Sequence, residues 1–356
     1  MASNLITSTG VAGSIESRSA GRSYLTANNQ LTSGSAIIAE WNNVLQHAQE
    51  NNRRRAVLRA RASEDAIQEV EQDGPQFAVK IPLSELGLPT TDSLVTLEHN
   101  IHSSEVPEWE AVYDYWKKPK IYPEPVDEIN KLPTGFTLTN NFSEKDRATL
   151  LELWHPFGWN AAKIDAFIQT YRDNNALWVS GVRDQNGQLA SACMGEALVF
   201  DGIYMVEATE FGTRTDLRGK NLSTVAVVGL TAQIVQKALY EEGHTPLIMA
   251  EFNMHPNSRS DVVGRKVGFT IPGVEGVEGL TDPTQVLRKN VAVLDGGGPS
   301  DLLFSQLPDK DRYRDAFRDP YRYWRNFIVG MIPKDRIDTS YSKENTAQIL
   351  NRFSSN

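Results

Sequence analysis

The sequence contains one cysteine, no long apolar run and no excess of positive charge. The single cysteine, Cys193, excludes an internal disulfide bond and is typical of a protein in a reducing compartment. No uninterrupted apolar segment approaches the roughly 20 residues that cross a bilayer. The first residues also lack the basic start and apolar core of a secretory signal. We therefore expect a cytoplasmic protein with no membrane partner.

The charge balance argues against nucleic acid as a partner. Lys and Arg number 36 against 45 Asp and Glu, which gives a net charge of −9. Phosphate backbones are bound by clustered basic residues, so we expect no nucleic-acid partner, whereas a cationic amine is compatible with this charge. With 356 residues, 40% of them hydrophobic, the chain can form one large or two ordinary globular domains.

Composition divides the chain into four parts. Residues 1–35 are small and polar and bury too little to offset their ordering entropy, so we expect a disordered tail. Residues 36–130 are predicted to be a mostly helical extension ending in a proline-rich linker. Residues 134–295 form the main domain, and residues 296–356 form an extension, rich in Tyr and Arg, that packs on its core. Within the second part, the basic run from Arg53 to Arg61 is balanced by nearby acids and is interpreted as a solvated helix.

The main domain shows an ordered series of strands and helices. Asn186-Gly187 and Asp201-Gly202 are turn pairs between hairpin strands, because both tolerate positive φ. Ser143 and Asp146 form a capping box, and Asn160 can cap the next helix. The predicted order is a strand, two helices, a three-stranded meander, a helix, a strand, a helix and a strand; the meander strands are 176–184, 188–199 and 203–213.

A basic turn links the last meander strand to a long apolar helix, Leu222 to Glu241. The turn is Asp216-Leu217-Arg218-Gly219-Lys220-Asn221-Leu222. Backbone N–H groups and the dipole of a helix N-terminus favour anions, and Arg214, Arg218 and Lys220 add charge beside them. This layout predicts a diphosphate site.

The turn and its context resemble the GNAT superfamily of acyl-CoA-dependent N-acyltransferases, over about residues 134–294. The resemblance implies an α/β fold with a mixed, splayed central sheet flanked by helices. It also implies that the turn binds the pyrophosphate of coenzyme A and that the pantetheine arm lies between two splayed strands. The chain keeps Arg218 and Gly219 but has Asp216 and Asn221 at the outer positions of the family pattern. The run 262–269 resembles the closing helix of the family, with Val263 and Gly264 where the family often has a Tyr acid.

The resemblance also implies site residues. A carboxylate on the fourth strand of the domain would accept the amine proton, and the candidates are Glu207, Glu210 and Glu251. Simple alternation places Glu207 and Glu210 on opposite faces, whereas a bulge would reverse that parity. The residues implied in binding the cofactor are Phe211, Gly212, Thr213, Arg218, Gly219, Lys220, Asn221, Leu222, Asn253 and Asn257.

The function expected from the sequence is transfer of an acyl group from coenzyme A to a primary amine of a small molecule or amino acid. Acetyl is the favoured acyl group. The acyl-CoA is a co-substrate, and a homodimer is left open. Two alternatives also stay open: an acyl-carrier protein as the donor, or a GNAT-fold module that binds a ligand or partner without catalysis. His99 and His102 lack further ligands, so no metal site is predicted.

Overall fold

The computed structural model describes residues 15–18, 22–27, 29–51, 53, 55–75, 77, 79–86, 90–100, 124–155, 159–173, 177–200, 203–253, 260–269 and 327–353. These residues form two sheets with flanking helices. The aromatic residues of the predicted C-terminal stretch, Tyr313, Phe317, Tyr321, Tyr323 and Trp324, lie outside the described residues.

The first sheet has five strands in the order β1-β2-β3-β5-β4. The strands are β1 (Ile15–Arg18), β2 (Arg22–Thr26), β3 (Arg55–Ala62), β4 (Val79–Pro82) and β5 (Ser93–Asn100). β2 and β3 pair in parallel, and the other neighbours pair antiparallel. Helices α1 (Gly34–Glu50) and α2 (Glu64–Asp73) cover one face, and the serine before each helix, Ser33 and Ser63, caps it.

This first sheet corrects two expectations. The segment 1–35 was expected to be disordered, yet residues 15–18 and 22–26 are strands and Leu25 is buried in the core beneath α1 and α2. The sheet itself was not foreseen in the part predicted to be mostly helical. A strand cannot satisfy its own backbone hydrogen bonds, and pairing with β3 supplies them to β2.

The basic run is also corrected. Arg55–Ala62 is strand β3 and not a solvated helix. Its small apolar residues, Ala56, Leu58, Ala60 and Ala62, alternate along the strand and face the core beneath the two helices. Arg59, on the opposite face, is buried with 2% of its surface exposed.

The second sheet has six strands in sequence order, from β6 at one edge to β11 at the other. They are β6 (Thr137–Thr139), β7 (Leu177–Arg183), β8 (Leu189–Phe200), β9 (Ile203–Thr213), β10 (Leu247–Asn253) and β11 (Phe327–Met331). β9 and β10 pair in parallel, and every other neighbouring pair is antiparallel. The predicted mixed α/β fold is confirmed, as is the predicted order of elements from β6 to β10. The last strand, β11, lies in the part predicted to be a C-terminal extension, and residues 270–295, where the domain was expected to end, lie outside the described residues.

Helices cover both faces of the second sheet. α3 (Pro125–Asn130) precedes it, and α4 (Arg147–Trp154) and α5 (Ala161–Asp173) share one core cluster with β7 and β8. α6 (Leu222–Val235), extended by a π-helical turn (Gln236–Glu241), packs on the other face. α6 with its extension is long and apolar enough to cross a membrane, but 72% of the apolar window is buried inside the protein. Burial in the core accounts for this composition.

The last described helices of the chain pack on the second sheet. α7 (Ser260–Val267) follows β10, and α8 (Lys334–Ser340) and α9 (Lys343–Leu350) follow β11. Tyr341, Ile337 and Ile349 are buried in the same core as α6. The Tyr341 hydroxyl donates to the Val267 carbonyl at 2.9 Å, which ties the C-terminal segment to the end of α7.

Candidate active site

The two parallel strands separate at one point in the sheet. Their pairing runs from Met205 with Leu247 to Ala208 with Ala250 and no further, although β9 continues to Thr213 and β10 to Asn253. On its other edge, β10 pairs with β11 from Met249 to Asn253. The backbone edges of β9 and β10 therefore open into a wedge in the middle of the sheet.

A β-bulge lies in β9 where the wedge opens. Ala192 pairs with Gly212 and Met194 with Thr209, so two residues of β9, Glu210 and Phe211, lie opposite the single Cys193. Glu210 has a φ of 57°, which is uncommon for a residue with a side chain. The Trp154 indole holds this conformation by donating to the Glu210 carbonyl at 2.8 Å.

The bulge determines which face of the sheet the residues of β9 point to. Val206 and Ala208 face α6, so Glu207 faces the opposite side of the sheet. Phe211 packs against the α6 side, which unbroken alternation would have given to Glu210. Gly212 meets α4 so closely that an added Cβ would lie 3.0 Å from the Leu153 Cβ atom.

Glu207 meets a cation from the first sheet. The Arg59 Nη1 atom lies 3.7 Å from the Glu207 Oε2 atom, and both side chains are buried. Glu196 is the cross-strand partner of Glu207 and is buried as well. Two acidic residues thus share one face of the sheet at the start of the wedge, where directly opposed like charges are unfavourable and the guanidinium offsets them.

Three candidate residues have little or no description. Glu251 and Asn253 lie on β10 by their backbones, and their side chains are outside the described residues, as is the whole of Asn257. Their roles stay predictions. Leu222, by contrast, is the first residue of α6 and is buried in the core, with 1% of its surface exposed.

The basic turn opens α6 as predicted. Gly219 has a φ of +82°, and an added Cβ would meet no atom within 4 Å. Arg218 and Lys220 are exposed on either side, with the Lys220 ammonium 5.6 Å from the centre of the Phe136 ring. The turn therefore presents open backbone between two cations, a form that suits an anion.

Two other residues near the turn, Arg214 and Thr213, are engaged in contacts within the protein. Arg214 donates to Asp216 at 2.8 Å and to Asp184 at 2.9 Å, and both hydrogen bonds raise the pKa of Arg214. The first of them also lowers the pKa of Asp216. Thr213 is also engaged, since its hydroxyl lies 3.0 Å from that of Ser191. Of the basic residues predicted to bind phosphate, Arg218 and Lys220 keep that prediction.

Asn221, the N-cap of α6, adopts the left-handed conformation with φ 63°. Its amide nitrogen donates to Glu128 on α3, and its amide oxygen accepts from the Lys266 ammonium at 3.0 Å. The side chain is therefore directed to these two partners.

Two side chains are unsuited to proton transfer at this site. Cys193 is fully buried, and burial raises the pKa of its thiol, so it is a core residue and not a nucleophile. Burial likewise raises the pKa of Tyr341 well above its usual range, and its hydroxyl is bound to Val267.

Val263 packs against the core in the helix where the family often has a Tyr. The described residues contain no group of three His, Cys, Asp or Glu that could hold a metal ion.

Sequence reasoning missed four residues around these features: Arg59, Glu128, Glu196 and Lys266. The alternation of Arg with Ala and Leu in β3 was the one available signal for Arg59, since a period of two favours a strand. The other three are recognisable only from contacts between distant segments.

Comparison with known proteins gives structural likenesses only. No family model matches the chain, and no curated protein matches its sequence. It is similar to a GNAT superfamily phosphinothricin acetyltransferase of Sinorhizobium meliloti in complex with AcCoA, with 16% identity, a TM-score of 0.32, and coverage of 41% of this chain and 82% of that one. It is also similar to a spermidine N-acetyltransferase of Vibrio cholerae in complex with CoA and spermine, with 13% identity, a TM-score of 0.31, and coverage of 41% and 88%.

A third solved structure, a ribosomal-protein-S5-alanine acetyltransferase of Vibrio fischeri, shares 15% identity and covers 57% of this chain and 96% of its own, with a TM-score of 0.34. All three of these proteins are acetyltransferases.

Proposed function

We propose that this protein is an N-acyltransferase that moves an acyl group from an acyl-CoA to a primary amine of a small molecule or amino acid. The observation that carries the proposal is the junction of two features on one strand. β9 separates from β10 at a bulge, and the same strand leads into an open basic turn at the N-terminus of α6.

The turn supports binding of the donor. The open side of Gly219 lets a diphosphate approach the backbone, and the N–H groups of the first turn of α6 favour anions. Arg218 and Lys220 would pair with the phosphate oxygens. Phe211 and Gly212, on the strand between the wedge and the turn, would border the pantetheine arm.

The wedge supports the chemistry. A thioester carbonyl lying along β9 would be polarised by backbone N–H groups, as in an oxyanion hole. The attacking amine must be neutral, so a carboxylate nearby would accept its proton. Glu207 and Glu210 lie on either side of the point where the strands part, and either carboxylate could serve as this base.

Calorimetric titration with acetyl-CoA tests the donor site. We expect the wild-type protein to bind acetyl-CoA. We expect Gly219→Val to bind it at least about tenfold more weakly, because the valine side chain fills the open space beside the backbone. Gly187→Val is a matched control, since Gly187 also has a positive φ (+75°) and open space but lies in a hairpin turn. Equal affinity in folded Gly219→Val protein would contradict the assignment of the turn.

Release of free thiol from acetyl-CoA across a panel of amino acids and diamines tests transfer. Acceptor-dependent thiol release, with the acetylated amine found by mass spectrometry, supports the proposal. Binding of acetyl-CoA without consumption of the thioester would favour a ligand-binding module, and no binding by folded protein would overturn the acyl-CoA donor.

A further inference from the structure

A residue from outside the second sheet lies behind the basic turn. Glu128 is on α3, before the first strand of that sheet, and 0% of its surface is exposed. Its Oε1 atom accepts from the Lys131 ammonium at 2.7 Å. Its Oε2 atom accepts from the Asn221 amide and lies 3.5 Å from the Lys266 ammonium on α7. Three segments of the chain therefore meet at this carboxylate.

Asn221 is the residue that these contacts hold. Only two non-glycine residues among those the structure describes have a positive φ, Glu210 and Asn221. Asn tolerates the left-handed conformation better than most residues with a Cβ, but less readily than glycine, so contacts to its side chain add to the stability of this conformation. Both ends of the Asn221 amide are bound, one to Glu128 and one to Lys266.

We propose that Glu128 and Lys266 are positioning residues that hold Asn221 in its left-handed conformation and thereby keep the turn from Arg218 to Asn221 in the form that receives a diphosphate. The inference rests on the proposed function for the ligand, but the clamp itself is a property of the chain. The turn is exposed at Arg218 and Lys220, and the contacts behind Asn221 restrict its motion at the end that joins α6.

Simple electrostatics makes the opposite forecast for Glu128→Gln. Removing a negative charge behind an anion site would strengthen binding of a phosphate ligand. Loss of the clamp would weaken it, because Gln offers one acceptor where the carboxylate offers two and leaves the ammonium groups of Lys131 and Lys266 without their counter-charge. The sign of the change in affinity therefore separates a positioning role from a bystander charge.

Limited proteolysis tests the clamp without any ligand. Trypsin cleaves after Arg218 and Lys220, and mass spectrometry can follow both bonds against a reference site at Lys163 in α5. We expect Glu128→Gln and Lys266→Met to speed cleavage in the turn by at least about threefold relative to the reference site. An unchanged ratio in both variants, with melting curves showing folded protein, would overturn the clamp.

Titration with acetyl-CoA in a double-mutant cycle tests the consequence for binding. Glycine adopts positive φ without strain, so the Asn221→Gly chain needs no clamp. We expect Glu128→Gln to weaken binding at least about fivefold in the wild-type background and less than about twofold in Asn221→Gly. Equal losses in the two backgrounds, or tighter binding by Glu128→Gln, would overturn the positioning role. Wild-type protein that binds no acetyl-CoA would overturn the donor assignment, while the cleavage assay would still decide whether the clamp exists.

Discussion

The guanidinium of Arg59 lies 3.7 Å from the carboxylate of Glu207, and this buried ion pair joins the two sheets of the molecule. Arg59 is on the central strand of the first sheet, and Glu207 is on the strand that carries the wedge and the bulge. The first sheet therefore contributes a charge to the candidate site. Any change at Arg59 is expected to affect both the stability of the protein and the chemistry of Glu207.

Replacing Arg59 by Met should destabilise the protein by about 3–5 kcal/mol, because a buried carboxylate loses its cation. Urea unfolding at neutral pH measures this. Arg147→Met is the control, since the Arg147–Asp165 pair is exposed and should contribute little to the free energy of unfolding. Adding Glu207→Gln to Arg59→Met should restore much of the loss, and failure to do so would show that the pair is not what Arg59 stabilises.

The carboxylates of β9 can be tested as the base once an acceptor amine is identified. We expect replacement of the base, either Glu207→Gln or Glu210→Gln, to lower kcat/KM about 10²- to 10⁴-fold and to remove the acid limb of the pH–rate profile. The other variant should retain the limb. Asp165→Asn, on the exposed face of α5, should leave the profile unchanged. An acid limb preserved in both glutamine variants would place the base elsewhere.

Removal of residues 1–26 should now destabilise the first sheet, in contrast to the expectation drawn from composition. The deletion takes away β1 and β2, exposes the edge of β3 and removes the buried Leu25 side chain. We expect a lower melting temperature and a greater tendency to aggregate. A shorter deletion of residues 1–14, which leaves both strands intact, is the control. Equal melting temperatures for the wild type and the longer deletion would contradict the role of these strands.

Glu128 should give the protein an acid-sensitive stability. Burial would raise the pKa of its carboxyl group, but hydrogen bonds from Lys131 and Asn221 and the charge of Lys266 outweigh that and lower the pKa from 4.5. Because the folded pKa lies below the unfolded one, the stabilisation is complete above about pH 4.5 and is lost as the pH falls through the folded value. Unfolding free energy of Glu128→Gln should therefore depend less on pH in this acidic range. An unchanged slope would contradict the coupling.

The sequence predicted the second sheet well because its signals are local. Ser143 and Asp146 form the expected capping box, and the Asn160 side chain accepts from the Lys163 N–H at 3.0 Å. Gly187 adopts the positive φ that its hairpin turn requires. Each of these features is set by residues within a few positions of one another, so the pattern in the chain determines the structure.

Features that depend on distant segments were not predictable. Leu25 of β2 lies in the core, and the strand conformation of β2 depends on pairing with β3. The alternation of residues along β9 could not locate the bulge at Glu210, because the bulge is maintained by the Trp154 indole, which lies on helix α4. Arg59 looked like a surface charge because its partner lies nearly 150 residues further along the chain.

The isolated β-bridge between Leu138 and Phe353 has a consequence for biosynthesis. It joins the first strand of the second sheet to a residue more than 200 positions later, and β11 completes the β10 edge from the same late segment. During translation, β10 would have an unprotected edge until those residues leave the ribosome. Contacts of such long range also make folding slow. We expect newly made chains to require chaperone protection in this interval, which pulse labelling with chaperone depletion can measure.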